Sequence, residues 1–255
     1  MMDLQKLCDL GIEACLEAGK EILQIYDSGD FSIEAKADNS PLTMADKAAH
    51  NKIVSFLEQT DIPILSEEGK SIAFEERSKW EYFWMVDPLD GTKEFIKKNG
   101  EFTVNIALIH QGRPVLGIVY PPVLGEMYWA IDGQGSFKEM DGEVSKLSTS
   151  QKKLSAKELK VVASRSHMSP ETQDFVDQLT EPKIVSKGSS LKFLLVASGE
   201  ADVYPRFGPT MEWDTAAAHI IVTEAGGSVT LEDRETSLSY NKENLLNPFF
   251  IVLPF

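Results

Sequence analysis

The sequence predicts a mixed α/β fold, and three patterns along the chain support this prediction. Residues 4–25 place apolar side chains at the spacing of an amphipathic helix. Residues 102–130 form short apolar runs separated by turns that contain Gly and Pro, which predicts an antiparallel meander. Residues 159–253 alternate strand-like and helix-like segments, as α/β domains do. A chain of 255 residues can bury these elements as one domain or as two closely packed halves.

The N-terminal half, residues 1–150, is expected to contain two long helices, a series of strands and one short helix. The first helix covers residues 4–25. The second opens at Thr43-x-x-Asp46, a capping-box pattern in which the acidic side chain returns to the helix start, and it runs through Leu57. The strands predicted here are Ile62–Leu65, Tyr82–Val86, Phe102–Ile109, Val115–Tyr120 and Met127–Ala130, and the short helix is Lys93–Lys98.

The C-terminal half, residues 151–255, is expected to alternate strands with helices. The boundary between the halves is placed in the charged, serine-rich stretch 139–157, which predicts a hairpin plus a connector. The elements predicted beyond it are the strand Leu159–Ser164, the helix Pro170–Leu179, the strand Ile184–Ser186, the helix Ser190–Ser198, the strand Val203–Tyr204, the helix Thr215–Ala225 and the strand Phe250–Leu253.

Composition and charge narrow the class of partner. The formal net charge of -15 argues against a nucleic-acid polymer, because no basic stripe is present to replace the counterions around phosphates. The negative net charge does not exclude a small anionic substrate, since acids that hold divalent cations present a positive face locally. Cys8 and Cys15 are predicted to be core residues rather than part of a disulfide or zinc site. No signal peptide or membrane-spanning run is found, so a cytosolic protein is expected, and no pattern indicates an oligomeric state.

Residues 84–95, with the sequence W-M-V-D-P-L-D-G-T-K-E-F, combine a buried strand with an anion-binding turn. The strand is expected to end at Asp87-Pro88, because proline offers no N–H to continue a ladder. A tight turn around Gly91 then leads into a helix, and its backbone N–H groups suit an oxyanion. Asp87 and Asp90 flank this turn, and two carboxylates beside a phosphate repel one another unless a cation lies between them. The stretch therefore predicts a metal site, and Mg²⁺ prefers such an all-oxygen set of ligands.

Further acids follow a strand or open a helix, and each also has an ordinary local explanation. Glu67 and Glu68 come directly after the strand Ile62–Leu65, where α/β sheets bind ligands, but adjacent glutamates are also common on solvated surfaces. Asp214 opens a helix, and taken alone it is better explained as an N-cap. From its spacing alone, Asp46 is better explained by the capping box than by catalysis. If these acids converge with those of the turn, however, they cannot all stay ionised without cations.

The motif D-P-L-D-G-T at residues 87–92 resembles the metal- and phosphate-binding motif of the inositol monophosphatase superfamily. The longer stretch D-P-L-D-G-T-K-E-F-I-K-K-N-G-E-F-T-V-N-I-A-L-I, residues 87–109, resembles its CysQ-type branch, the 3'(2'),5'-bisphosphate nucleotidases. The resemblance extends over nearly the whole chain, from K-A-D-N-S-P at 36–41 to L-N-P at 246–248. It implies the layered α/β/α/β/α sandwich of this family, with both halves forming one catalytic unit and the site between them.

The resemblance also implies roles for individual residues. Two Mg²⁺ ions are expected, one to activate water and one to neutralise the leaving oxygen, with a third, weaker ion near Glu68. Gly91 and Thr92 are expected to hold the phosphate, and Asp46 with Thr92 to orient and deprotonate the attacking water, assisted by Glu67. The expected metal ligands are Glu67, Asp87, Asp90, Asp214 and the backbone carbonyl of Leu89. The expected nucleotide contacts are Ser164, His167, Gly188 and Lys192.

The activity implied by the resemblance is removal of the 3'-phosphate from 3'-phosphoadenosine 5'-phosphate, which gives AMP and phosphate and is linked to sulfate assimilation. The small nucleotide 3'-phosphoadenylyl sulfate is a further candidate substrate, and lithium is expected to inhibit at the second metal position. Arg206 lies in a stretch typical of the same branch and is a candidate phosphate or base contact.

Two alternatives stay open for the function. The first is the same chemistry on inositol monophosphate or fructose bisphosphate, and the second is a metal-binding regulatory protein without turnover. Because some bacterial relatives are described at the inner face of the plasma membrane, peripheral contact there also stays open for an otherwise cytoplasmic protein, although nothing in the sequence is an anchor.

Overall fold

The computed structural model describes residues 2–29, 34–35, 41–163 and 168–255. The helices in chain order are α1 (Leu4–Ser28), α2 (Met44–Leu57), α3 (Phe74–Arg77), α4 (Thr92–Ile96), α5 (Pro170–Asp177), α6 (Leu191–Ala197) and α7 (Ala216–Glu224). The strands are β1 (Glu34–Ala35), β2 (Pro41–Leu42), β3 (Ile64–Ser66), β4 (Tyr82–Asp90), β5 (Thr103–His110), β6 (Arg113–Tyr120), β7 (Met127–Ile131), β8 (Gly135–Met140), β9 (Glu143–Lys146), β10 (Lys160–Val162), β11 (Lys183–Val185), β12 (Tyr204–Arg206), β13 (Ser228–Leu231) and β14 (Phe250–Leu253). A 3₁₀ turn, Glu58–Thr60, follows α2.

Capping residues set the start of both long N-terminal helices and the end of the first. Asp3 accepts the Lys6 N–H at the start of α1, and Gly29 ends the helix in the left-handed conformation, with φ of 75°. The predicted capping box at the start of α2 is present. The Thr43 N–H and hydroxyl donate to the Asp46 carboxylate, and the Thr43 hydroxyl oxygen accepts the backbone N–H of Asp46. Both cysteines of α1 are buried and unpaired.

A large mixed sheet in the order β3-β4-β5-β6-β7-β8-β9 forms the centre of the molecule. Its strands β3 and β4 are parallel, and all later neighbours are antiparallel. The meander predicted for residues 102–130 is therefore present as β5, β6 and β7. Helices α1 and α2 cover one face, where side chains such as Ile22 and Ile53 pack against Trp84, Ile106 and Ile118.

The opposite face of the large sheet packs against α6 and α7, which lie between it and a second layer of strands. This second layer contains β12-β14-β13, and the parallel pair β10-β11 joins it through a bridge between Val161 and Val203. Helix α5 covers its outer side, with Phe175 and Val176 against Val161 and Ile251. The layers therefore run α/β/α/β/α, and the predicted sandwich is confirmed.

Several element boundaries differ from the sequence prediction. The expected end of a strand at Asp87-Pro88 is wrong, because β4 continues to Asp90. A β-bulge between Asp87 and Asp90 absorbs the proline, and an unpaired residue at a bulge does not need an N–H for the ladder. Helix α7 begins at Ala216 rather than Thr215, and Thr215 makes no side-chain cap bond. Elements without a long apolar pattern have no counterpart in the sequence prediction, namely α3, β1, β2, β8 and β13.

Candidate metal and phosphate site

The bulge in β4 turns two aspartates toward the same side of the large sheet. Asp87 pairs with Asn105 and Asp90 with Thr103, so three steps along β4 match two steps along β5. In a regular strand, residues three apart point to opposite faces, and the extra residue of a bulge corrects this. Asp87 and Asp90 therefore share the face covered by α6 and α7, while Leu89 is buried in the core beneath α1 and α2.

Neighbouring elements bring two more carboxylates to this position. Glu67 directly follows β3, and its N–H donates to the Val86 carbonyl at 3.0 Å, which sets it level with Asp87. Asp214 lies just before α7, the helix that packs on this face. Carboxylate oxygens of Glu67, Asp87 and Asp214 all lie within 4.8 Å of one another. Asp90 lies outside this close group, although its charge is near enough to raise the pKa of Asp214.

The site is strongly unfavourable for negative charge when no cation is present. Burial raises the pKa of Asp87 well above its usual value, and the charges of Glu67, Asp90 and Asp214 raise it further. Burial also raises the pKa of Asp90 to about 6, against the opposing effect of Lys192. The pKa of Asp214 is raised to about 8, first by burial and then by the charge of Asp90.

One atom of this cluster provides a direct test of whether a metal fits. Asp87 is 1% exposed, and its Oδ2 meets no hydrogen-bond donor among the described residues. A buried carboxylate oxygen without a donor is costly, and a divalent cation removes the cost by coordinating it. The three converging carboxylates are all hard oxygen donors, as Mg²⁺ requires. The residues present therefore fit a magnesium ion.

The Thr92 hydroxyl lies between this cluster and the start of α2. It donates to Asp46 Oδ1 at 3.3 Å, and the Leu89 carbonyl oxygen is an alternative acceptor at 3.4 Å. The other carboxylate oxygen of Asp46 accepts from the N–H and hydroxyl of Thr43 at 2.8 and 2.6 Å. Asp46 thus caps α2 and contacts Thr92 at the same time, so the two explanations weighed from the sequence are compatible.

A cleft of about 680 Å³ opens beside these residues. Asp90 and Gly91 contribute to one wall, and Gly188, Lys192 and Arg206 contribute from the C-terminal half. A smaller cavity of about 50 Å³ shares Asp90, Lys192 and Arg206 with the cleft and reaches Asp214. The cleft therefore joins the acid cluster to cationic side chains, an arrangement suited to an anionic substrate.

The predicted nucleotide contacts have mixed outcomes. Gly188 lines the cleft, but its N–H donates to Glu101 Oε2 at 2.8 Å. Lys192 also lines the cleft and donates to the Ser189 carbonyl at 3.1 Å. Ser164 and His167 lie outside the described residues.

Glu68, the predicted ligand of a further ion, does not belong to the close carboxylate group among the described residues. Its charge instead acts on His50, whose ring nitrogen lies 2.9 Å from the Ser66 hydroxyl. The structure thus brings Glu67, Asp87 and Asp214 together, sets Asp90 at their edge and leaves Glu68 beside His50.

Sequence reasoning missed a buried hydroxyl and amide network that supports Asp90. Ser190 donates its backbone N–H to the Asp90 carboxylate and its hydroxyl to Asn105 at 2.8 Å. Thr103 lies 2.7 Å from the same hydroxyl and accepts from the Asn105 amide at 3.3 Å. The polar residues Thr103 and Asn105 inside the otherwise apolar strand β5, T-V-N-I-A-L-I-H, could have indicated this network, because buried polar groups need partners.

A protein-family model described as the inositol monophosphatase family matches residues 3–248. The chain belongs to the inositol monophosphatase family. The resemblance carried by the D-P-L-D-G-T motif is therefore confirmed.

Individual relatives narrow the position within this family. The chain is 48% identical over 252 residues to the 3'(2'),5'-bisphosphate nucleotidase CysQ of Salmonella typhimurium, covering 98% of both chains. It is 34% identical over 241 residues to the protein of the same name from Haemophilus influenzae, covering 93% of this chain and 88% of that one. The predicted similarity to the CysQ-type branch is thus confirmed.

Solved structures of family members share the fold. CysQ from Bacteroides thetaiotaomicron matches with a TM-score of 0.87 at 45% identity, covering 98% of both chains. The inositol monophosphatase of Thermotoga maritima matches with a TM-score of 0.77 at 27% identity, covering 96% of this chain and 91% of that one. Among the described residues, no helix is both long and apolar enough to cross a membrane. The comparison with these relatives gives no support to the peripheral membrane contact left open by the sequence.

Proposed function

We propose that this protein is a metal-dependent 3'(2'),5'-bisphosphate nucleotidase. It removes the 3'-phosphate from 3'-phosphoadenosine 5'-phosphate to give AMP and phosphate, a reaction linked to sulfate assimilation. The observation that carries the proposal is the convergence of Glu67, Asp87 and Asp214 around a buried oxygen that lacks a donor, beside a cleft whose lining includes Lys192 and Arg206. The 48% identity to a bisphosphate nucleotidase over 98% of both chains supports the choice of substrate.

The metal part of the proposal is two Mg²⁺ ions. Glu67, Asp87 and Asp214 would hold them, with Asp90 and the Leu89 carbonyl at the edge of the cluster. Bound ions of this kind supply a Lewis acid that lowers the pKa of water and neutralises charge on the leaving oxygen. Lithium inhibition and a third, weaker ion near Glu68 are further expectations of the same proposal.

The residues of the chain itself orient the attacking water. Because the Thr92 hydroxyl donates to Asp46 Oδ1 at 3.3 Å, its oxygen lone pairs are free to accept a hydrogen bond from water. As the water oxygen bonds to phosphorus, the bond between phosphorus and the 3'-oxygen breaks, the water proton passes to Thr92 Oγ1 and the Thr92 proton passes to Asp46. The 3'-oxygen leaves with AMP and takes a proton from solvent to become its 3'-hydroxyl. Asp46 is suited to this because the Thr43 N–H and hydroxyl fix its carboxylate from the other side.

Substrate selection is assigned to the cleft between the two halves of the chain. Residues 1–150 and 151–255 act as one catalytic unit in this proposal, and a hydrophobic cluster that contains both Met85 and Ile221 supports it. Lys192 and Arg206 are cations that can pair with the second phosphate, with Gly188, Ser164 and His167 as further contacts. The sulfated relative 3'-phosphoadenylyl sulfate fits the same requirement for two anionic groups. A cytoplasmic location is part of the proposal.

The test is phosphate release by the purified protein with Mg²⁺ from three substrates at equal concentration. These are 3'-phosphoadenosine 5'-phosphate, inositol 1-phosphate and fructose 1,6-bisphosphate. We expect the nucleotide to have the highest kcat/KM, and Asp214→Asn to abolish release from it. A wide preference for inositol phosphate would replace the proposed substrate, and Mg²⁺ binding without release from any of the three would favour a regulatory protein.

A further inference from the structure

The segment Ser239–Asn247 bonds to the residues just before Asp214. The segment itself contributes no acid to the metal cluster. The Glu212 N–H donates to the Leu245 carbonyl at 2.9 Å, and the Asn247 N–H donates to the Thr210 carbonyl at 2.9 Å. The Asn247 side-chain amide donates to the Met211 carbonyl at 3.0 Å. The Met211 N–H in turn donates to Asp214 Oδ2 at 2.8 Å. The backbone that presents Asp214 is thus bound from behind by this C-terminal segment.

One link in this attachment is an ion pair between the buried Glu212, two residues before Asp214, and the partly exposed Lys242. Glu212 is fully buried, and its carboxylate accepts the backbone N–H groups of Asn241 and Lys242 at 2.6 and 3.0 Å. Asn241 has φ of 66°, a left-handed conformation that Asn tolerates and that turns successive N–H groups toward one anion. Lys242 Nζ donates to Glu212 Oε1 at 2.6 Å, to the Ser239 carbonyl at 2.7 Å and to Asn247 Oδ1 at 3.0 Å. All three ammonium protons therefore have acceptors.

The same segment is also bonded to the part of the chain that follows Glu67. Arg77, at the end of α3, is 2% exposed. It donates to Asn241 Oδ1 and to the Glu243 carbonyl, each at 2.8 Å, and its own carbonyl accepts from the Asn241 amide at 2.9 Å. Residues 239–247 are therefore bonded both to the backbone carrying Asp214 and to α3, the helix that lies between Glu67 and β4 in the chain.

We infer that Glu212 and Lys242, together with Arg77, which bonds the same segment to α3, are positioning residues for the metal cluster. Glu67 and Asp214 belong to segments far apart in the sequence, and their like charges repel one another when no cation is bound. The shared attachment through residues 239–247 resists that repulsion and keeps the carboxylate oxygens within reach of one ion. Glu212 contributes no net charge to this region, because Lys242 neutralises it. The inference rests on the metal site of the proposed function but not on the identity of the substrate.

The test compares Lys242→Met with a matched control, Lys152→Met. In the control pair, Asp202 is likewise buried and accepts a backbone N–H, from Lys160 at 2.7 Å, together with Lys152 Nζ at 3.1 Å. This pair lies at the start of β10, whereas Ala163, beyond the other end of that strand, lines the cleft. Each lysine change leaves a buried carboxylate without its ammonium partner, so both variants should have a lower Tm.

Mg²⁺ titration of the metal-free proteins by calorimetry, without substrate, separates positioning from general stabilisation. We expect Lys242→Met to raise the half-saturating Mg²⁺ concentration about 10-fold, as changes behind metal ligands do. We expect Lys152→Met to leave that concentration unchanged. If folded Lys242→Met bound Mg²⁺ as tightly as the parent, the positioning role would be wrong.

A second variant covers the case in which Lys242→Met does not fold. Arg77→Lys keeps the charge but cannot make both contacts of the guanidinium group, so we expect a smaller rise in half-saturating Mg²⁺. Parent affinity in this variant would overturn the inference. A parent protein that binds no Mg²⁺ would overturn the proposed metal site itself, and the positioning role with it.

Discussion

Asp87 is the residue at which burial and function conflict most directly. It is almost completely buried, and its pKa is raised by burial and by the neighbouring acids. Asp87→Asn replaces a carboxyl group that the metal-free protein must either bury charged or protonate against its ordinary pKa, so we expect the Tm of the metal-free variant to rise. The same change removes a predicted metal ligand, so kcat should fall on the order of 100-fold or more. Thermal unfolding with and without Mg²⁺, together with phosphate release, measures both effects.

The control for this change is Asp132→Asn. Asp132 is an exposed acid whose side chain forms a surface ion pair with Arg113 at 3.1 Å. We expect neither Tm nor kcat to change appreciably, since exposed ion pairs contribute little. A Mg²⁺-induced rise in Tm as large in Asp87→Asn as in the parent would show that Asp87 is not a ligand.

Thr92 is predicted to act on the proton rather than on the metal. Thr92→Val keeps the shape of the side chain but removes the hydroxyl that donates to Asp46. We expect kcat to fall about 10²- to 10⁴-fold, the usual contribution of a positioned acid–base group, with half-saturating Mg²⁺ unchanged. Thr92→Ser retains the hydroxyl and should keep most of the activity. Equal kcat values for the valine and parent proteins would exclude Thr92 from proton transfer.

At the scale of elements, the turn between β4 and α4 determines where the cleft begins. Gly91 has φ of 92°, and a Cβ added there would lie 3.1 Å from the Glu101 carbonyl oxygen and 3.2 Å from Ser189 Cβ. Gly91→Ala therefore combines backbone strain with a close contact, and we expect it to lower the free energy of unfolding by about 2 kcal/mol. Urea unfolding measures this loss, provided that the variant and the parent have the same m-value.

Gly125→Ala is the matched control for backbone strain alone. Gly125 has φ of 64°, but no atom lies within 4 Å of an added Cβ. We expect this variant to lose only about 1 kcal/mol and to keep full activity. An equal loss of stability at both positions would mean that steric contact with Glu101 and Ser189 adds nothing to the backbone strain at Gly91.

Element positions followed well from sequence patterns, whereas the details that form the site did not. The helical period of α1, the capping box of α2 and the apolar run of β14 are local signals, and these elements lie where they were predicted. The bulge at Pro88 was missed, because a proline after an apolar run equally predicts the end of a strand. Only pairing with β5 distinguishes the two cases.

At the scale of the whole molecule, the buried acids make stability dependent on pH in the absence of metal. The pKa values of Asp90 and Asp214 are raised to about 6 and about 8, first by burial. A carboxyl group whose pKa is raised on folding favours the folded state only while it is protonated. Its stabilising effect is complete below the unfolded pKa and is lost as pH rises through the folded value.

We therefore expect the metal-free protein to become less stable between about pH 5 and pH 8 as these groups ionise. Mg²⁺ should reverse this loss, since metal ions bind the deprotonated carboxylates and compete with protons. The Tm increase caused by saturating Mg²⁺ should consequently be larger at pH 8 than at pH 5.5. The measurement is thermal unfolding across this range in EDTA and in Mg²⁺. A Mg²⁺ effect that decreases with rising pH would contradict the assignment of these acids to the metal site.

The sequence alone determined the fold class, the family and the candidate acids, because each rests on local patterns or on a motif of adjacent residues. It did not determine which acids meet. The close group of Glu67, Asp87 and Asp214 depends on parallel pairing of β3 with β4 and on the packing of α7. The bond between Asp46 and Thr92 spans 46 residues.

The attachment of Asp214 through Glu212 and Lys242 likewise has no local signal, since the two residues are 30 positions apart. Sequence spacing specifies which groups are available and which elements they begin or end. Distances between groups on different elements are set by strand register and helix packing, and these depend on contacts between residues remote in the chain. For that reason, the chemistry of this site was readable from the sequence, and its geometry was decided only by the tertiary structure.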